Sequence, residues 1–365
     1  MNYSPLWNTQ LPRPVGLLFL ILLSSLFSAC GSGGLDVPLD TIDLDLRTHR
    51  LDEDMYAAVQ DIRDNPEMDS MQIFQKHFKS SRDFIVDWMY YGQDSGLTDN
   101  ILASLMYSFV SDSAAQTLLD TFHTTFSNQK IDLEAMLTNP LKRFHYYFPN
   151  KAVPSVVTFA DGYPRTAQGG LDQLFLSGKF IGIGLHYFMG PSFKYYPADL
   201  PKYIRRRCTP EHLSSLVVHR LANGMVPKPK LKNNPVLLDY VIHEGIKMYF
   251  VDKVLGPMTH DTLKLFYTAE QLDWAQFYEG KAYLEMMENL YDIDAEQVRR
   301  YVEDSPFTSQ LNRGSAPRLG QFLGWKIVSA YMEKHPEQHL DGLIQRDDYQ
   351  QIFKKAKYRP APPQE

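Results

Sequence analysis

Apolar residues between Leu51 and Tyr147 return at steps of three and four, as in ILASLMYSFV (101–110) and AAQTLLDTFHTTF (114–126). That spacing lays one buried stripe along a helix, so the first hundred residues of the folded chain are predicted to be helical. The period then changes. VPSVVTFADGY (153–163) is a β-branched run bounded by Pro154 and Gly162, and QLFLSGKFIGIGLHYFMG (173–190) holds two further runs around Ser177-Gly178. Together they predict a small sheet at about 154–189. From Pro201 the helical spacing resumes and continues to about 355, which makes the fold class α+β and predominantly helical. No long polar linker separates the N-terminal helices (51–147) from the sheet, so 51–358 reads as one domain.

One of the later helices carries charge where the stripe should be apolar. Asn233 or Asn234 can cap it, Pro235 suits its first turn, and Gly256-Pro257 ends it. Within it lies HEGIK, residues 243–247. His243 and Lys247 interrupt the face that also holds Val236, Tyr240 and Val254, while Glu244 follows the neighbouring line of Leu237, Val241, Met248 and Val251. Ionisable groups on apolar faces need partners, because an unpaired buried charge costs several kcal/mol. A second such helix is LDWAQFYEGKAYLEMMENL (272–290), whose line Leu272, Ala275, Glu279, Ala282 or Tyr283, Met286 and Leu290 is apolar except for Glu279. Glu279 is expected to pair with Lys247, or with His243 if that is protonated, or to serve as a metal ligand arriving from a packed helix. HExxH on a helix is the core of a zinc peptidase, with its two histidines one turn apart, but here the second position is Lys247. A lysine ammonium has three donors and no acceptor, and a cation beside Zn²⁺ is repelled. HEGIK therefore reads as a zinc-peptidase helix in which an internal cation, bonded to Glu279 with Glu244 as a further partner, has replaced the ion, so that no cofactor is expected and zinc remains the alternative.

The N-terminus and composition place the chain. An apolar run from Val15 to Phe27 precedes FSAC, which resembles a lipobox with Cys30 as the lipidated residue. Residues 1–29 read as a signal peptide, 30–50 as lipid anchor and tether, and RPAPPQE at the end, with 359–365 as the tail, as disordered. If Cys30 carries lipid, the other cysteine, Cys208, has no partner for an intramolecular disulfide. Folding then rests on the core, for which a hydrophobic content of 44% is sufficient. The net charge of −6 has no concentrated basic region apart from Arg205-Arg206-Arg207, so nucleic acid is not expected as a partner and that run reads as a solvated face or a surface contact. Gly320 and Gly324, four apart, predict close approach of another element. The aromatic clusters at 186–188 and 194–196 fit either cleft lining or edge packing.

Several blocks occur together in one order: VPSVVTFADGY, IGIGLHYFMG followed by YYPADLPKYI, VIHEGIKMYFVD, YTAEQLDWAQFYEGKAYLEMMENLYD, RLGQFLGWKIVSAYM and QQIFKKAKYRP. In these the chain resembles the gliding-motility lipoprotein GldB family of the Bacteroidetes over most of its length. That family is similar to predicted zinc-dependent proteases with HExxH on the active helix, so the resemblance implies a zincin-like fold. It matches His243 to the first metal ligand, Glu244 to the general base and Glu279 to the third ligand, with Lys247 standing at the second. The function implied is a lipid-anchored component required for gliding, non-catalytic and acting through other gliding-machinery or envelope proteins. An active zinc peptidase of the envelope is the alternative, and a periplasmic binding or chaperone-like module a third. The Gly31-Ser32-Gly33 stretch after Cys30 has no acidic pair, which points to a periplasm-facing anchor, with outer membrane favoured over inner.

Overall fold

The computed structural model describes residues 37–90, 96–129, 131–162, 166–167, 170–171, 174–228, 235–293, 295–308 and 314–360. The signal region, Cys30, Asn233, Asn234 and residues 361–365 lie outside these. The chain divides into two compact units, the first ending at Thr41. Its described part is a single 3₁₀ turn, Leu39–Thr41, closed by the Thr41 hydroxyl on the Pro38 carbonyl at 2.8 Å.

The second unit opens with strand β1 (Thr48–Arg50) and continues through helices α1 (Leu51–Asp64), α2 (Arg82–Tyr90), α3 (Asp99–Ser111), α4 (Ser113–Gln129) and α5 (Leu133–Tyr147). The predicted periodicity is the reason they form. In α1, Leu51, Met55, Ala58 and Val59 are buried on one side, and in α3 Leu102, Met106 and Val110 do the same. The sheet follows, with β2 (Ser155–Phe159), a two-residue pair β3 (Thr166–Ala167) and β4 (Gly170–Leu171), then β5 (Leu174–Leu176) and β6 (Phe180–Gly184). Its main part has four strands in the order β1-β2-β6-β5, with β1 and β6 both parallel to β2 and β5 antiparallel to β6. Strand β1 lies within the stretch read as tether, so the polypeptide already belongs to the folded body at Thr48. Arg50 pairs with Asp52 at 2.6 Å, and the Thr158 hydroxyl bonds the same carboxylate, fastening β1, α1 and β2 together.

The later helices are α6 (Leu213–Met225), α7 (Leu237–Leu255), α8 (Ala269–Phe277), α9 (Glu279–Glu288), α10 (Ala295–Val302), α11 (Leu319–Lys334) and α12 (Tyr349–Ala356). One connected cluster of buried apolar side chains runs from Leu46 to Ala356 and includes both helical groups and the sheet. Helix α7 is its axis: twelve of its residues, from Leu237 to Leu255, are buried, and α6, α11 and α12 pack around it. Its N-terminus starts at Leu237, where the Val236 amide donates to Asp239 Oδ2 at 3.1 Å, and Gly256 at φ 83° ends it as predicted. The crossing with α11 is unusually close. A Cβ on Gly245 would lie 2.4 Å from the Gly324 carbonyl carbon and oxygen, and one on Gly324 would lie 2.1 Å from the Val241 carbonyl oxygen. Gly324 thus serves packing, and Gly320 likewise abuts Tyr301 and Val302 of α10.

The 272–290 stripe is not one helix. The backbone leaves helical geometry at Tyr278 (φ −97°, ψ 16°), so α8 ends and α9 begins with Glu279 as its first residue. The aromatic residues His186, Tyr187, Phe188 and Tyr196 are buried, which makes them core rather than cleft lining.

Candidate functional site

His243 sits in the second turn of α7 with its side chain buried. Its Nε2 lies 3.0 Å from the Pro227 carbonyl, an acceptor only, so this nitrogen carries the hydrogen and donates. Its Nδ1 lies 3.3 Å from Glu244 Oε1. Glu244 Oε1 also accepts from Lys247 Nζ at 2.8 Å, one turn along the same helix, and Oε2 accepts from Gln321 Nε2 at 3.4 Å. Glu244 and Lys247 side chains are each 20% exposed, so the pair stands at the edge of the core. Burial pushes the Glu244 carboxyl up, but the neighbouring His243 ring and the Lys247 charge outweigh it and hold the group below the ordinary carboxylate range.

Of the residues singled out from the sequence, His243, Glu244 and Lys247 are brought together and Glu279 is not joined to them by any bond. Glu279 accepts a hydrogen bond from the hydroxyl of Tyr358, near the C-terminus. The carboxylate that answers Lys247 is Glu244 and not Glu279. The arrangement fits a zinc ion poorly. His243 Nε2 is committed to a backbone carbonyl, Lys247 donates to Glu244, and among the described residues no three His, Cys, Asp or Glu side chains converge as a metal-binding group.

Glu244 and Lys247 look into a cavity of about 280 Å³ whose other charged walls the sequence did not suggest. Arg207 forms a two-pronged pair with Asp304, Nη1 to Oδ2 and Nη2 to Oδ1, both at 2.8 Å. Arg318 Nη1 reaches Asp304 Oδ1 at 3.2 Å, and its Nη2 donates to the Leu265 carbonyl. The two guanidinium groups lie over the ring of Phe266, 4.9 Å and 5.8 Å from its centre. Asp304 feels burial pushing its carboxyl up, yet Arg318 and Arg207 outweigh this and hold it far below its usual value. His219 donates from Nε2 to the Lys264 carbonyl at 2.7 Å, and burial drops its pKa to about 4, so it is neutral at pH 7.

The Arg205-Arg206-Arg207 run is therefore not a solvated face. Arg207 is 6% exposed, and Arg206 donates from Nη2 to the Phe266 carbonyl at 3.0 Å. The signal that sequence reading missed is long-range: Asp304 lies 97 residues beyond Arg207, and no local pattern links them. A basic triplet with Cys208 and Pro210 immediately after it, at the entry to an apolar helix, is the one local hint that the run is turned inward.

No curated protein and no solved structure matches the chain. The family model described as gliding motility protein GldB matches residues 35–360, which include HEGIK, the Arg207–Asp304 pair and Arg318. On that match over most of its length, the chain belongs to the gliding motility protein GldB family.

Proposed function

We propose that this chain is a lipid-anchored envelope protein of the gliding machinery that works by binding other proteins rather than by cleaving them. Membership of the family supports a role in gliding motility, and its description as a lipoprotein family accords with an anchor at Cys30. Among the described residues no helix is long and apolar enough to cross a membrane. In this reading the anchor faces the periplasm, in the outer membrane, and the partners are other gliding or envelope proteins. HEGIK is a zincin-like helix converted to a structural one, with Lys247 standing where the metal charge would be. The observation that carries this is the 2.8 Å pair of Lys247 with Glu244, beside a His243 whose Nε2 is given to the Pro227 carbonyl. A general base held ionised by an adjacent lysine and a ligand nitrogen already occupied leave no open coordination position for catalysis.

The test has two parts. A strain lacking the gene should fail to spread on agar, should recover with the parent gene, and should not recover with Cys30→Ser. The purified protein should hold zinc well below one ion per chain and show no peptidase activity that a chelator removes. One zinc per chain, lost in His243→Ala together with activity, would replace this reading with that of an envelope zinc peptidase.

A further inference from the structure

The cavity beside HEGIK carries a charge arrangement that the ion pairs described so far do not complete. Among the described residues three cations line it, Arg207, Arg318 and Lys247, against two carboxylates, Asp304 and Glu244, with His219 neutral. Arg207 and Arg318 are 6% and 5% exposed, and each keeps an Nε–H with no acceptor among the described residues. A buried donor without an acceptor is costly, and both of these belong to arginines that line the one cavity.

Arg318 is adverse on two further counts. It has left-handed backbone, φ 49°, which is uncommon for a non-glycine residue, and it occupies the N-cap of α11, the end where the helix dipole disfavours a cation. Phe266, whose ring both guanidinium groups lie over, is left-handed as well at φ 53°. Two of the three non-glycine residues with positive φ among the described residues thus meet at this cavity. Strained backbone is retained where the surroundings require a particular side-chain placement, and here the placement directs two arginines at one volume.

We propose that the cavity is a carboxylate-binding pocket in which Arg207 and Arg318 receive a single monoanionic group, the carboxylate of a small acid or of the last residue of a peptide. The excess of one positive charge among the described residues matches a monoanion. Asp304 and Glu244 on the walls repel a dianion such as phosphate. Guanidinium charge and plane suit a carboxylate, and Leu216, Met248 and Phe266 supply an apolar wall for a side chain beside it. At about 280 Å³ the space lies just under the range of drug-sized ligand pockets, the scale of one residue and not of an extended peptide. The proposal goes beyond the gliding role and does not need it, since it rests on the cavity alone.

Isothermal titration calorimetry of the purified full chain at neutral pH tests it with four probes: acetyl-Ala-Ala-Leu with a free C-terminus, the same peptide as its amide, N-acetyl-leucine, and inorganic phosphate. The free-acid peptide should bind at least about tenfold more tightly than its amide, a loss on the order of one charge-assisted contact. N-acetyl-leucine binding as well as the peptide assigns the pocket to a small carboxylate, and markedly weaker binding assigns it to a peptide terminus. Arg207→Lys keeps the charge but loses the fork and the free Nε–H, and should weaken free-acid binding about tenfold. If that variant fails to fold, the comparison of acid with amide on the unaltered chain still decides. Equal binding of acid and amide, no binding of any carboxylate probe, phosphate binding more tightly than the free acid, or a folded Arg207→Lys that binds like the parent would each overturn the proposal.

Discussion

Helix α7 has two faces that solve opposite problems. On one, Gly245 closes on Gly324 of α11 until no side-chain atom fits between the backbones. On the other, Glu244 and Lys247 hold an ion pair against a charged cavity. The first face is stabilised by apolar contact at backbone distance and has no slack. The second is stabilised by mutual compensation, so either member is needed only while the other is present. Steric and electrostatic complementarity therefore fail differently, and substitutions on the two faces distinguish them.

The largest effect is expected at the crossing. Gly324→Ala places a methyl 2.1 Å from the Val241 carbonyl, and the helices must separate. The cost should be about 3 kcal/mol or more, at the upper end of overpacking, read as a fall in the denaturant midpoint with an unchanged slope. A Gly324→Ala protein as stable as the parent would show that the crossing has slack.

A middle-sized effect is expected from pH on the cavity side. Burial holds the folded-state pKa of His219 near 4, below the free value of 6.5. As pH falls, the unfolded chain therefore takes up the proton before the folded one does. The stability due to neutral His219 is complete above about pH 6.5 and is lost progressively as pH falls toward about 4. His219→Gln retains a donor for the Lys264 carbonyl and should flatten the stability curve across that window. The same slope in the variant would mean that another group titrates there.

The smallest effect is expected at Glu279. Tyr358→Phe removes one partly exposed hydrogen bond, so the loss should be about 1 kcal/mol or less by thermal unfolding. Zinc binding by Lys247→His should stay weak for the related reason that Glu279 is engaged with Tyr358 at the far end of the chain. Tight, stoichiometric zinc in Lys247→His would show that Glu279 does reach His243.

What could be read from the sequence divides along the same line between local and non-local. The buried faces of α1 and α3 and the end of α7 at Gly256 were legible because the spacing of apolar residues and a glycine in a left-handed turn act within a few residues. Strand β1 was not, since three residues, Thr-His-Arg, carry no alternation and pair with β2 more than a hundred positions away. The break at Tyr278 was hidden because the apolar spacing continues through it, with no proline to mark the change. In the site, the trio His243, Glu244 and Lys247 was legible from helical spacing. Arg207, Asp304 and Arg318 were not, because the charge of an arginine reads as solvent exposure until its partner, distant in sequence, is placed beside it.

The proposed function depends most on Lys247 and Glu244 compensating one another, and a double-mutant cycle measures this directly. Stability is determined for Lys247→Met, Glu244→Gln and the double variant. Each single change should cost about 1–2 kcal/mol by leaving one partly buried charge unanswered, and the double change should cost less than the sum by about 1 kcal/mol or more. Additivity to within about 0.5 kcal/mol would contradict the account, because it would mean that the two side chains are neighbours without being partners.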